Sequence, residues 1–169
     1  MKRDLHRDGG FTLIEMIAVL LILALVAAAV TSGLAKARER AWRLRARDTC
    51  RQLCEAWNMY LVDEHRFPEE LGNAQKVKTD KTTLSHLSGG AKSGRMYLEL
   101  DDKRDKDGLL DHWGQPISFS LDTDYDGVVD NPYPKAFDPE IPKVRASSVA
   151  WSDGNPKHKN RDDNPIVAW

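Results

Sequence analysis

The sequence predicts an α+β protein. One long N-terminal helix, a transmembrane half followed by an amphipathic half, packs on a small antiparallel sheet with calcium-type loops. Three observations lead there. An apolar run from Phe11 to about Ala35 carries one charged residue, Glu15. An apolar stripe then recurs at three- and four-residue steps, with no proline before Pro68. Short alternating stretches and Asp-rich turns follow, and the order of helix first and strands afterward indicates α+β.

The chain of 169 residues suffices for one modest domain plus an anchor. Its net charge of −1 points, in bulk, to neither nucleic acid nor an anionic membrane surface. Outside the apolar run the chain is polar enough to bring the mean hydropathy down to −0.55. A small core is therefore expected, of the kind that needs a metal, a disulfide or a neighbouring subunit.

Phe11 to Ala35 has the roughly 20 residues needed to cross a bilayer as a helix. An ordinary secretory signal would explain the charged start, Lys2, Arg3 and Arg7, and would offer Ala27-Ala28-Ala29 for cleavage. Such a signal is usually shorter, and neither it nor a plain anchor accounts for Glu15. A carboxylate in the apolar part of a bilayer costs a few kcal/mol, so it generally has a partner and a function. No Lys, Arg or His occurs between Phe11 and Ala35, so the partner is expected from outside the segment. A new α-amino group at Phe11, made by cutting before it, would be a cation at the same depth.

Gly10-Phe11-Thr12-Leu13-Ile14-Glu15-Met16 resembles the cleavage and methylation motif of type IV prepilins and type II secretion pseudopilins. The resemblance implies that residues 1–10 are a leader, removed after Gly10 by a membrane-embedded prepilin peptidase that also methylates Phe11. It implies that Glu15 then meets the N-terminal amine of an adjacent subunit. The expected divisions are 1–10 leader, 11–35 transmembrane and polymerisation helix, 36–66 amphipathic periplasmic half, and 67–169 globular domain. The family topology keeps the leader in the cytoplasm and the domain in the periplasm. The charge count alone would favour the reverse, since Lys36, Arg38, Arg40, Arg43, Arg45, Arg47 and Arg51 outnumber Lys2, Arg3 and Arg7.

Beyond the anchor, Trp42, Ala46, Cys50, Leu53, Trp57 and Leu61 form the stripe. Anchor and stripe together predict one helix from about Phe11 to Glu64, about 80 Å long, ended by Phe67-Pro68. Cys50 and Cys54 fall on the same side, where a disulfide would be strained, so two thiols on a packing face are expected. The Arg residues are interleaved with Ala, Leu, Trp, Glu39 and Asp48, a pattern of a solvated helix face or of pairing with neighbouring subunits. No nucleic acid is expected as a partner.

In the C-terminal part, residues 72–95 read mostly as loop. Residues 95–100, 116–121 and 147–151 read as short strands. Asp111-His112-Trp113-Gly114-Gln115-Pro116 resembles the Asp-Pro-Trp-Gly-x-Pro motif of major pseudopilins, with His112 in place of Pro. The stretch from Val149 through Asp153, Asp162 and Asp163 to Trp169 is also similar to that family, which implies a calcium-holding loop there. Independently of any family, Asp122, Asp124, Asp126, Gly127, Val128 and Asp130 match positions 1, 3, 5, 6, 7 and 9 of an EF-hand loop, with the Val128 carbonyl as backbone ligand. Position 12 is Tyr133 rather than Glu, so the loop alone is expected, without flanking helices.

Catalysis has little support. His65, His86, His112 and His158 are scattered without zinc-like spacing, and neither Cys54 nor any Ser lies in a nucleophile motif. The resemblance implies a non-enzymatic subunit of a type II secretion pseudopilus, anchored in the inner membrane and assembled as a periplasmic filament. Its partners would be further copies, minor pseudopilins, the prepilin peptidase and the inner-membrane secretion platform. A type IV pilus subunit for adhesion, motility or DNA uptake is the alternative within the class. A non-polymerising, membrane-anchored calcium-binding domain is the alternative outside it.

Overall fold

The structure, a computed structural model, describes residues 11–90, 93–101, 105–136, 140–158 and 165–169. It comprises two compact units, residues 1–40 and 41–169, described separately below. Helix α1, Leu13–Glu64, contributes to both. Its first part is rich in Leu, Ile and Ala and contains no proline, so nothing interrupts the backbone ladder. The large apolar side chains there are exposed, among them Leu20 at 65% and Ile22 at 60%. Length and composition allow this segment to cross a membrane.

In the second unit α1 turns an apolar stripe inward. Ala46, Cys50, Leu53, Cys54, Ala56, Trp57 and Tyr60 are buried, and Trp42 and Leu61 are half-buried at the ends. Cys50 and Cys54 are both free thiols on this packing face. Burial pushes the Cys54 thiol up to about 11 and Cys50 higher still, so both are held protonated. The helix stops at Glu64 because His65 turns left-handed, with φ +63°, and Pro68 cannot continue it.

Four strands form an antiparallel sheet: β1 (Val77–Lys78), β2 (Ser118–Leu121), β5 (Ser148–Ser152) and β6 (Ile166–Ala168), in the order β1-β2-β5-β6. Phe119 pairs with Ala150, and Trp151 with Val167. Strands β3 (Val129–Asp130) and β4 (Lys143–Val144) make a separate two-stranded ribbon. The central strands are buried on both faces, and their side chains alternate accordingly. Phe119, Leu121 and Ala150 join the helix-side core, whereas Val149 and Trp151 join Val129 and Val144. Trp57 is fully buried in the larger core, 5.3 Å from Phe119, 5.7 Å from Tyr60 and 6.2 Å from Phe67 between ring centres.

The long helix, β2 and β5 lie where the sequence places them. Residues 95–100 do not form a strand: the Tyr97 and Leu98 amides both donate to the Leu87 carbonyl, and only Met96 bridges, to Ser88. Residues 72–95 are not all loop, since they hold β1 and a short helix α2, Lys81–Ser85. Asp80 and Thr83 cap α2 reciprocally, each side chain accepting the other's backbone amide. Strands of two residues carry no period to read, which is why β1, β3 and β4 escape the pattern.

Gly108 fixes how the loop before β2 meets β1's end. Its φ is +128°, and a Cβ there would lie 2.2 Å from the Thr79 carbonyl oxygen. The same Thr79 bonds through its hydroxyl to both the Leu109 amide and the Ile117 carbonyl. Gly108→Ala is therefore expected to destabilise the domain by about 2 kcal/mol or more. Urea denaturation of a soluble fragment beginning at Ala41 measures this, and an unchanged midpoint would show that the turn yields freely.

Candidate functional site

Two groups of residues carry the chemistry, one in each unit. At the start of α1, Glu15 accepts hydrogen bonds through Oε2 from the Thr12 amide and the Thr12 hydroxyl, both at 2.9 Å. Thr12 in turn accepts from the Glu15 amide at 3.3 Å. This is a capping box, in which a Thr and a Glu three residues on satisfy the free amides of the first turn. Hydrogen-bond donors for Glu15 thus lie within the segment, while the cationic partner expected for it has to come from outside. The Thr-x-x-Glu spacing is legible in the sequence and identifies Thr12 as a residue of this site. Glu15 Oε1 accepts no bond among the described residues. A carboxylate has about four acceptor positions, so this oxygen remains available to a second donor. Phe11 is 79% exposed beside it, and Gly10 lies outside the described residues.

The second group lies between β2 and β3. Carboxylate oxygens of Asp122, Asp124 and Asp126 come within 4.8 Å of one another. Asp122 is buried at 6% exposure, and its two oxygens accept from the amides of Asp126 at 3.1 Å and Gly127 at 2.8 Å. Asp126 accepts from the Val128 amide at 2.8 Å. Gly127 has φ +80°, which allows the sharp turn. Burial is the largest influence on Asp122 and raises its carboxyl above the usual range, against the lowering effect of the Gly127 amide. A raised carboxylate is one whose negative charge is poorly compensated, and an all-oxygen cluster of this kind suits a hard cation such as calcium.

Asp130 does not join the three. It stands on β3 with its carboxylate 3.9 Å from Lys143 Nζ on the paired strand β4. Tyr133 points elsewhere too, its hydroxyl donating to Asp153 at 2.5 Å. Burial, then the hydrogen bond and charge of Asp153, push the Tyr133 phenol well above its usual value. Asp153 is thus tied to the segment after β3, while Asp162 and Asp163 lie outside the described residues.

Tyr125 joins the Asp122 turn to the exit of α1, and nothing in the sequence pattern singles it out. Its hydroxyl accepts from the Phe67 amide at 3.0 Å, and its ring stacks on Phe67 at 6.2 Å with planes 8° apart. The residue is left-handed, with φ +59°, a conformation that bulky side chains adopt only when surroundings enforce it. The Asp111 turn is anchored comparably. Asp111 accepts from the Trp113 and Gln115 amides, and its other oxygen accepts from the Ser152 hydroxyl at 2.6 Å. Trp113 and His112 both pack on Trp42, at 6.2 and 4.9 Å.

Phe11 and Thr12 lead into an exposed apolar helix that carries Glu15, and the second unit is a small α+β domain, an arrangement that resembles pilin-like proteins. Residues 5–31 match the family model for the prokaryotic N-terminal methylation motif. The chain is also similar to the type II secretion system core protein G of Pectobacterium carotovorum subsp. carotovorum, with 36% identity over 77 residues. That alignment takes in 46% of this chain and 49% of the relative, so the chain spans about half the length of the curated relative it matches. No solved structure matches the chain. Motif and relative together support a pilin-like pseudopilin.

The Tyr125 contact gives a direct test of how the Asp122 turn is held. Tyr125→Phe keeps the stack and removes the hydrogen bond, and should cost about 1 kcal/mol. Tyr125→Ala loses both and should cost more. Equal stabilities for the native fragment and both variants, by urea denaturation, would show that the turn does not clasp the helix exit.

Proposed function

We propose that the chain is a structural subunit of a type II secretion pseudopilus, polymerising through α1 to help export folded proteins. The observation that carries this is Glu15, placed on an exposed apolar helix with one carboxylate oxygen bonded to Thr12 and the other open among the described residues. Cleavage after Gly10 would free the Phe11 amine. The amine of one copy could then meet the open oxygen of Glu15 in the next, neutralising a charge that is costly in lipid. The class is structural, and no catalytic step is assigned to any residue. The chain would be anchored by a single membrane span, with the domain in the periplasm.

Processing and assembly are tested together. Intact-mass analysis of membrane-extracted protein should show a chain starting at Phe11 with an added methyl group. Glu15→Ala should still be processed and inserted, because the helix becomes more apolar, yet filament and secretion yield should fall at least about tenfold. A normal yield from this variant would remove Glu15 from the assembly mechanism.

We further propose that the Asp122, Asp124 and Asp126 turn binds calcium, with the Val128 carbonyl as a backbone ligand and the Asp153 loop as a lesser site. What supports it is the convergence of the three carboxylates and the raised Asp122 carboxyl. Asp130, held toward Lys143, is left out of the first set of ligands. The folded Asp122 carboxyl lies above its unfolded value. Without an ion, its contribution to stability is therefore fully present below the unfolded value and is lost as pH rises through the folded one. Calcium should reverse that loss, since only ionised carboxylates bind it. At 100 times its dissociation constant calcium would add about 2.7 kcal/mol, or several degrees of melting temperature. The gain should be larger at pH 7 than at pH 4 and should vanish in Asp124→Ala with Asp126→Ala. If the native fragment melts alike in calcium and in chelator, the site is not a calcium site.

A further inference from the structure

We infer that the basic residues directly beyond the apolar run, Lys36, Arg38 and Arg40, form a collar that binds anionic phospholipid headgroups. The inference rests on the membrane-spanning reading of the first part of α1 and adds a ligand to it.

The chain's net charge of −1 conceals a local excess: three basic residues and one acid, Glu39, lie between Lys36 and Arg40. Lys36, Arg38 and Arg40 are all exposed. Farther along the chain some arginines find acids, Arg51 with Glu55, Arg66 with Glu69 and Arg95 with Asp63, while Arg45 and Arg47 do not among the described residues. Lys36 and Arg40 have no acidic partner among the described residues.

Depth and angle decide the partner. Five residues of helix beyond Ala35 advance about 7.5 Å, close to the thickness of one headgroup layer outside the hydrocarbon. Lys36 to Arg40 would therefore sit among phosphates, and their long stems allow the charges to settle at that level. At about 100° per residue, Lys36 and Arg40 lie near one another on the helix, while Arg38 points to nearly the opposite side. A duplex or a folded protein would approach one face. Lipid surrounds a helix on all sides, and a collar suits it. Each Lys or Arg near an anionic surface contributes about 1 kcal/mol. A subunit leaving the bilayer for a filament must replace these contacts, so the collar sets its depth until assembly.

The test uses the full chain beginning at Phe11, reconstituted in bilayers of equal phosphatidylglycerol and phosphatidylcholine. Native mass spectrometry then reads the lipids it retains. Phosphatidylglycerol should be retained over phosphatidylcholine on the order of tenfold. Lys36→Gln with Arg38→Gln and Arg40→Gln should bring the ratio near unity. Arg43→Gln with Arg45→Gln and Arg47→Gln should leave it within about twofold of the native value, because these residues lie beyond the headgroup layer. Excess inorganic phosphate at constant ionic strength should not displace the lipid. Equal retention of the two lipids, an unchanged ratio in the first triple variant, or displacement by phosphate would each overturn the inference. So would tight binding of a duplex oligonucleotide that abolishes lipid retention. Alkaline carbonate extraction separates the two readings. A chain released into the soluble fraction contradicts the membrane span itself, whereas one retained without lipid preference contradicts only the collar.

Discussion

A carboxylate at the start of an apolar helix is tolerated only when its oxygens are satisfied, and α1 satisfies one of them. Thr12 gives Glu15 Oε2 both of its donors and receives the Glu15 amide in exchange. The arrangement begins the helix at a defined residue and fixes the rotamer of the glutamate. It also supplies no positive charge. In water the remaining oxygen would be hydrated, but in lipid it would be left bare at a cost of a few kcal/mol. The capping role and the proposed assembly role are therefore compatible. The first holds the side chain, and the second would use the acceptor that the first leaves open.

The same helix supports the domain by a different economy. From Ala46 onward its buried face supplies the wall against which β2 and β5 pack, with Trp57 enclosed by Tyr60, Phe67 and Phe119. The sheet has only four strands, two of them of two or three residues, and the ribbon of β3 and β4 covers its other face. Such a core needs fastening at its turns. Tyr125 fastens the Asp122 turn to the exit of α1, Ser152 fastens the Asp111 turn to β5, and Tyr133 reaches Asp153. These bonds join residues far apart in sequence, and each closes a segment that the core alone would leave loose.

Long-period features were legible in the sequence, and short ones were not. Fifty-two residues of helix announce themselves through composition in one half and through the stripe from Trp42 to Leu61 in the other. Ser118–Leu121 and Ser148–Ser152 alternate clearly enough to be read as strands. Residues 95–100 alternate as well, yet their amides turn to Leu87 instead of to a neighbouring strand, a choice made by tertiary packing. At the sites, the Asp122, Asp124, Asp126 convergence follows from spacing at every second residue ahead of a glycine. Asp130 fails to join because β3 pairing directs it to Lys143, which is a non-local fact. Tyr125 could not have been found, since its partner Phe67 lies 58 residues away. Thr12 could have been found, from its spacing to Glu15 alone.

The central claim is that the open oxygen of Glu15 receives the N-terminal amine of another copy. Filaments grown from a mixture of ordinary and nitrogen-15-labelled chains, treated with a zero-length carbodiimide and digested, report on it directly. The account predicts an amide between the Glu15 side chain and the Phe11 nitrogen, in peptides that pair a labelled with an unlabelled chain. Filaments that form normally and yield this cross-link only within one chain, or not at all, would contradict it.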